Sequence, residues 1–384
     1  MRRGDRSGGL DGVLVVAKPS GPTSHDVVAL VRRLSSTRRV GHGGTLDPFA
    51  AGVLPVFLGR ATRIVEYHLG ASKRYRATVC FGETSTTDDI DGERTTIVGP
   101  PVTRAVVEAA LAGMVGPLRQ VPPVYSAVQV GGRRAYQMAR AGEAVDLAPR
   151  DVVIAGLDML DWDDSDPARP MAVVDVRCSA GTYVRALARD LGARLETGAY
   201  LGALVRTESG GFRLEDAVSL DVLRAHVADG PAGILAVLRP VDAGLEDLPH
   251  VPVTYGEIRR LGEGLPTGPK TPLPFRDAPL VLTVGPDGTV VAVCRAIAGI
   301  LHPHKVLAVR PATEGRPDPR EPLSGPAADE GAADSAATDD AAADGAAVAA
   351  DLPSDLAADE ATLESESSAE APATEPDAEV QTAR

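Results

Sequence analysis

Gly41-His42-Gly43-Gly44-Thr45-Leu46-Asp47-Pro48 places a carboxylate in a glycine-rich loop that runs directly into Phe49-Ala50-Ala51-Gly52-Val53-Leu54. Pro48 biases Asp47 away from helical backbone, and the glycines permit conformations and close ligand approach that side chains obstruct. On pattern alone a loop aspartate is most often a turn-former. Asp47 is nonetheless the catalytic candidate. Upstream, Leu14 to Ala17 predicts a buried strand. Ser24 predicts the N-cap of a helix in which Val27, Val28, Val31 and Leu34 share a face, and Arg32-Arg33 and Arg38-Arg39 lead on into the loop.

Downstream, Tyr75 to Phe81 alternates as a half-buried strand does, and Thr103 caps a helix with Val106, Val107, Ala110, Leu111 and Met114 at helical spacing. Between Gly116 and Pro149 the pattern breaks into a Pro- and Gly-punctuated segment bearing Arg119, Arg133, Arg134 and Arg140, which predicts a surface insertion. Thr182 then opens an amphipathic helix with Val184, Leu187, Ala188, Leu191 and Leu195 on one stripe, so that Tyr183 and Arg185 fall in its first turn. Strands and helices intermingle without regular alternation, which favours an α+β fold over a doubly wound sheet. Beyond Leu248-Pro249-His250, short runs such as Leu280 to Val284 and Val290 to Cys294 predict a small β-rich domain over residues 249–311.

The chain has 384 residues, enough for two domains and a tail, and a formal net charge of −14. That charge is unevenly spread. From Thr313 onward there are 19 Asp and Glu against 3 Arg, a balance of −16, which leaves +2 for residues 1–312. Residues 1–76 hold 13 Lys and Arg against 5 Asp and Glu, a local excess suited to a polyanion-binding surface. The Ala-, Asp-, Glu- and Pro-rich stretch 312–384 has too few large apolar residues to bury a core and predicts disorder. Cys80, Cys178 and Cys294 lie far apart without metal-ligand spacing and read as reduced thiols of a cytoplasmic protein. The apolar run Val13 to Ala17 is too short for a secretory or membrane segment. Gly41 to Pro48 lacks the Gly-Lys-Ser/Thr end of a phosphate loop, and Leu46 stands where a dinucleotide fingerprint needs glycine, so no nucleotide cofactor is expected. His302-Pro303-His304 lacks further ligands for a metal.

The Gly41–Pro48 stretch, followed by Ala51-Gly52-Val53-Leu54-Pro55 and Gly59-Arg60-Ala61-Thr62, resembles the signature of bacterial TruB-type tRNA pseudouridine-55 synthases. The likeness extends upstream to Lys18-Pro19-Ser20-Gly21-Pro22-Thr23-Ser24-His25-Asp26, and downstream to Lys73-Arg74-Tyr75 and Cys178-Ser179-Ala180-Gly181-Thr182-Tyr183-Val184-Arg185. It implies the pseudouridine synthase fold, with a mixed, mainly antiparallel sheet over residues 1–248, and a PUA-like RNA-binding module over 249–311. It implies a cytoplasmic monomer that acts on the T-arm loop of tRNA, converting uridine 55 by base flipping with no cofactor, metal, membrane or protein partner.

Residue by residue, the resemblance makes Asp47 the nucleophile. Whether it attacks the uracil ring or the ribose, or deprotonates the sugar, stays open. Arg185 becomes its ion-pair partner, expected to lower the Asp47 pKa by about 1–3 units. Tyr75 stacks on the target base and assists proton transfer, and Leu204 and Tyr183 belong to the base pocket. His42 fills the space that the flipped base leaves. Arg133 and Arg134 of the insertion, with Lys18, Arg32, Arg33, Arg38 and Arg39, contact the RNA backbone. An alternative is an RNA-binding tRNA folding factor acting without catalysis, and a third reading is a guide-RNA-dependent relative.

Overall fold

The computed structural model describes residues 10–228, 230–270 and 273–308, and the acidic stretch 312–384 lies outside them. Gly12–Lys18 is apolar at nearly every position because both faces of this strand are covered, as continuous hydrophobic runs require. Leu14 and Val16 meet Val27, Val28 and Val31 of the helix Ser24–Ser35, while Val13 and Val15 share a core with Phe57, Phe212, Leu282 and Val293. The strand runs antiparallel to Ala51–Leu58, the strand that leaves the Asp47 loop.

These two belong to a ten-stranded sheet. Along its main path the order is Val218–Ser219, Gly12–Lys18, Ala51–Leu58, Ala199–Ser209, Lys73–Phe81, Met171–Cys178, Arg150–Asp163 and Gly116–Gln120. Two neighbouring pairs are parallel, Gly12–Lys18 with Val218–Ser219 and Ala51–Leu58 with Ala199–Ser209; the others along this path are antiparallel. The sheet is therefore mixed and mainly antiparallel, as the resemblance implies. Lys73–Phe81 alternates buried and open residues, and its inward side packs with the helices Arg104–Ala112 and Val184–Arg194 in one core that includes Tyr75, Ala77, Leu187, Leu191 and Leu204.

Three boundaries differ from the sequence reading. Thr23, not Ser24, is the N-cap of the first helix: its hydroxyl accepts from the Asp26 N–H at 3.0 Å while Asp26 accepts from the Thr23 N–H at 2.8 Å. This releases the Ser24 hydroxyl for another contact. The later helix begins at Val184 with Tyr183 as its N-cap, one step beyond the expected start. Finally, Gly116–Gln120 is an edge strand paired with Arg150–Asp163, so the insertion proper begins after Gln120; it holds a short hairpin and the helix Ala135–Arg140.

The strands His250–Pro252, Ala278–Val284, Val290–Ile297 and Ile300–Val306 form a second sheet with the helix Tyr255–Gly262 against it. Its Leu282 and Val293 reach the core of the first strands. Polar contacts add to this junction: Lys305 pairs with Glu66 at 2.9 Å, and the Tyr67 hydroxyl meets His304 Nδ1 at 2.6 Å. His304 is thereby engaged with the first domain.

His68 is 3% exposed, packs against the rings of Phe57 and Phe212, and has no hydrogen-bond partner at Nε2 among the described residues. Burial pulls its pKa down to about 4. The native state thus holds the neutral ring, whereas the unfolded chain takes up a proton below its ordinary value near 6.5. Stability is full above that value and is lost as pH falls from there through about 4, by on the order of 3 kcal/mol. Urea midpoints measured across this window will show the drop, and a His68→Phe variant will show less of it.

Candidate active site

The Asp47 loop is held by its main chain from several sides. The freed Ser24 hydroxyl accepts from the Leu46 N–H at 2.8 Å and donates to the Leu46 carbonyl at 3.0 Å. Gly43 N–H donates to Pro55 O at 2.9 Å, and Gly21 N–H to Pro48 O at 2.8 Å. Lys18 Nζ donates to Ala50 O at 2.7 Å, to Pro19 O at 2.9 Å and, more weakly, to Pro48 O at 3.4 Å. Arg206 binds Gly44 O and Val53 O at 3.1 and 2.8 Å. A Ser24→Ala variant leaves the buried Leu46 N–H unpaired and is expected to lose about 1–3 kcal/mol of stability by chemical denaturation.

Arg185, at the start of its helix, gathers three other segments at one guanidinium. Nε lies 3.0 Å from Asp47 Oδ2, and Nη1 lies 3.1 Å from both Asp89 Oδ2 and Thr87 O. Nη2 donates to Tyr125 O at 2.9 Å, at the base of the insertion. One helical turn on, Arg189 repeats the pattern with Asp88 at 2.9 Å and Val121 O at 2.8 Å. The Arg185 and Asp89 side chains are 6% and 5% exposed, whereas that of Asp47 is 37% exposed. The carboxylate is thus backed by a closed charged pair and open on its far side, where a ligand can reach it.

The Asp47 pKa is raised, not lowered as expected from its arginine. Burial among dense surroundings is the largest cause; Arg185 and Lys18 oppose it, and the negative charges of Asp89 and Asp91 add to it. One guanidinium shared between two carboxylates does not offset the lost hydration.

Tyr75, Leu204, Leu46 and Val184 belong to one apolar cluster with Phe49 packed against it, so this core reaches the residue just before Asp47. Tyr75 is nearly buried, and burial raises its phenol pKa, so the hydroxyl keeps its proton at neutral pH. Tyr183 is half-buried, its main chain fixed by the buried Gln120 amide, which accepts from Tyr183 N–H at 2.8 Å and donates to its carbonyl at 3.1 Å. His42 ends the short strand Val40–His42, where its Nδ1 accepts from Gly44 N–H at 3.3 Å and its ring sits 6.1 Å from that of His25. Burial lowers the His42 pKa, which favours the neutral ring.

Lys18 does not join a basic surface track. It is 1% exposed, and its ammonium, drawn down to about 8 by burial, is spent on loop carbonyls beneath Asp47. Arg32, Arg33, Arg38 and Arg39 are exposed, as are Arg133 and Arg134. Arg133 makes a two-pronged pair with Glu143 at 2.8 and 2.9 Å, a surface interaction weak enough to exchange for a phosphate. Sequence reasoning missed Asp89, Arg206 and Gln120. Asp89 sits among other acids in Asp88-Asp89-Ile90-Asp91, and nothing in that run marks which one turns inward. Arg206 had a signal: an arginine at the same strand parity as the apolar Leu204.

Family models match two adjoining parts of the chain: residues 32–184 match the N-terminal domain of TruB family pseudouridylate synthase, and residues 185–246 the tRNA pseudouridylate synthase B C-terminal domain. The chain belongs to the TruB family. Their junction falls between Val184 and Arg185, so the first TruB model holds Asp47 and Tyr75, and the second holds Arg185, Leu204 and Arg206. A TruB relative from Symbiobacterium thermophilum, tRNA pseudouridine synthase B, is 48% identical over 257 residues, 67% of this chain and 83% of the relative. The protein of the same name from Thermobifida fusca is 42% identical over 304 residues, 78% of this chain and 99% of its own length. Among solved structures, the archaeal box H/ACA sRNP Nop10-Cbf5 complex matches with TM-score 0.57 and 25% identity over 77% of this chain and 86% of that one.

Proposed function

We propose that this TruB-family enzyme, a tRNA pseudouridine synthase, isomerises uridine 55 in the T loop of tRNA, with Asp47 as nucleophile. The observation that carries the reading is the Asp47–Arg185 pair at 3.0 Å, closed behind and open in front. The N1 glycosidic bond breaks, the uracil turns, and C5 bonds to the ribose; C5 loses its proton and N1 ends protonated, so the balance closes within the nucleotide without redox chemistry. Arg185 fixes the carboxylate and counters part of the burial that favours its protonation. Tyr75 stacks against the uracil, its hydroxyl assisting removal of the C5 proton, and Leu204 and Tyr183 wall the pocket.

A uridine in a folded loop is stacked, and extruding it costs a few kcal/mol. The neutral His42 ring fills the space left behind and restores part of that stacking. Arg133 and Arg134, with the exposed arginines near the loop, hold phosphates and lend salt-sensitive affinity. Residues 1–248 act as the catalytic domain and 249–311 as a PUA-like RNA-binding module. The enzyme works as a cytoplasmic monomer on tRNA alone. The site reads only the loop, so an isolated T-arm hairpin with uridine at the equivalent of position 55 is expected to be converted, and the same hairpin with cytidine there is not. A hairpin bound as tightly as tRNA yet never converted counts against the reading.

A further inference from the structure

Arg206 is 1% exposed, a fully buried arginine that the mechanism above leaves without a role. It stands on Ala199–Ser209, in register with Tyr75 on one side and Gly52 on the other. The approach to Gly52 is so close that a Cβ there would lie 2.2 Å from the Arg206 carbonyl oxygen, and Gly52 has φ +119°. The guanidinium spends its hydrogen bonds on main-chain carbonyls: Nε on Val53 at 2.8 Å, Nη2 on Gly44 at 3.1 Å and Nη1 on Thr45 at 3.5 Å. Tyr75 is its direct cross-strand partner, and the nearby cation works against the burial that raises the phenol pKa.

One rigid group thus holds the loop from the strand that pairs with Tyr75. Gly44 and Thr45 are the residues just before Leu46-Asp47, Val53 lies near the start of the strand after the loop, and Tyr75 lies on the strand paired with that of Arg206. Burying a cation against carbonyls alone is unfavourable, and a neutral or apolar side chain would hold a loop at less cost. What the guanidinium adds is a planar fork with fixed donor directions.

We propose that Arg206 is a positioning residue for the isomerisation, fixing the Asp47 loop and the Tyr75 hydroxyl to one another so that the carboxylate and the phenol meet the flipped uracil in register. The inference rests on the roles given above to Asp47 and Tyr75. It acts through those two groups and not by contact with RNA, so its loss changes turnover and not affinity.

The test is steady-state kinetics on an unmodified tRNA transcript with the full chain, for wild type, Arg206→Lys, Arg206→Gln, Tyr75→Phe and Arg206→Lys with Tyr75→Phe, each checked for cooperative thermal unfolding. Arg206→Lys keeps the charge and loses the fork; kcat is expected to fall about 10- to 100-fold with KM changed by less than about threefold. In the Tyr75→Phe background the same change is expected to lower kcat by a clearly smaller factor, because part of its action passes through the phenol. An unchanged kcat, an effect confined to KM, or equal factors in both backgrounds would overturn the proposal. So would failure of both Arg206 variants to fold, which would make the residue a structural peg. A wild type that makes no pseudouridine refutes the underlying function and not this inference alone.

Discussion

Arg185→Met is expected to lose activity and stability together. Its guanidinium is the common partner of Asp47, Asp89, Thr87 and Tyr125, and Asp89 is almost wholly buried. Removing the cation leaves that carboxylate uncompensated in a poorly hydrated place, which costs about 3–5 kcal/mol. The Asp47 side chain also loses its anchor, and misplacement of a reacting group by about 1 Å costs about 100-fold in rate. The pH dependence has a definite sign. Arg185 opposes the rise in the Asp47 pKa, so the acidic limb of the single-turnover rate moves to higher pH in Arg185→Met. Asp89 adds to that rise, so Asp89→Asn moves the limb to lower pH. Urea unfolding and rates at several pH values check both; limbs that coincide with wild type would break the link between this pair and the chemistry.

Asp47→Asn is expected to lower isomerisation by at least about 10,000-fold, the scale seen when a nucleophile is removed. Asparagine is nearly isosteric and keeps an oxygen facing Arg185, so the loop, held through Ser24, Lys18 and Arg206, is expected to keep its shape. Folding stability is expected to be equal or slightly higher, since a carboxylate whose pKa is raised by burial is ionised at a cost at neutral pH. Affinity for tRNA stays within about threefold, because phosphate contacts dominate it. This separates catalysis from the alternative of an RNA-folding factor. Refolding of tRNA that survives in the variant identifies a second use of the same surface, while an affinity loss of orders of magnitude would show that Asp47 belongs to binding.

The fold was legible where periodicity reports burial directly. The strand at Leu14 to Ala17, the alternation from Tyr75 and the helix stripe ending at Leu195 each appear within a residue or two of their expected bounds. Errors arose where two neighbouring residues compete for one role. Thr23 and Ser24 both suit an N-cap, and the Asp26 partner three residues after Thr23 decides between them. Gly116 to Gln120 looked like part of an irregular segment because an edge strand with a proline and two polar residues carries little apolar signal.

In the site, Asp47 and Arg185 meet at 3.0 Å, and Tyr75 and Leu204 share the core that includes Leu46; resemblance to a family motif was the signal that linked residues so far apart in the chain. What the sequence hid was electrostatic. A lysine in a basic-looking segment reads as a phosphate contact, yet Lys18 faces loop carbonyls because its strand is buried on both sides. The Asp47 pKa depends on how one guanidinium is divided between two carboxylates and on how much water is excluded, and neither is written in the spacing of residues.

The most direct measurement is nucleotide-resolution mapping of pseudouridine in an unmodified tRNA transcript after incubation with the purified chain and no added cofactor. A single product at position 55, absent when that uridine is replaced by cytidine, is the predicted result. Product at another position, or none while the transcript stays bound, would contradict the account.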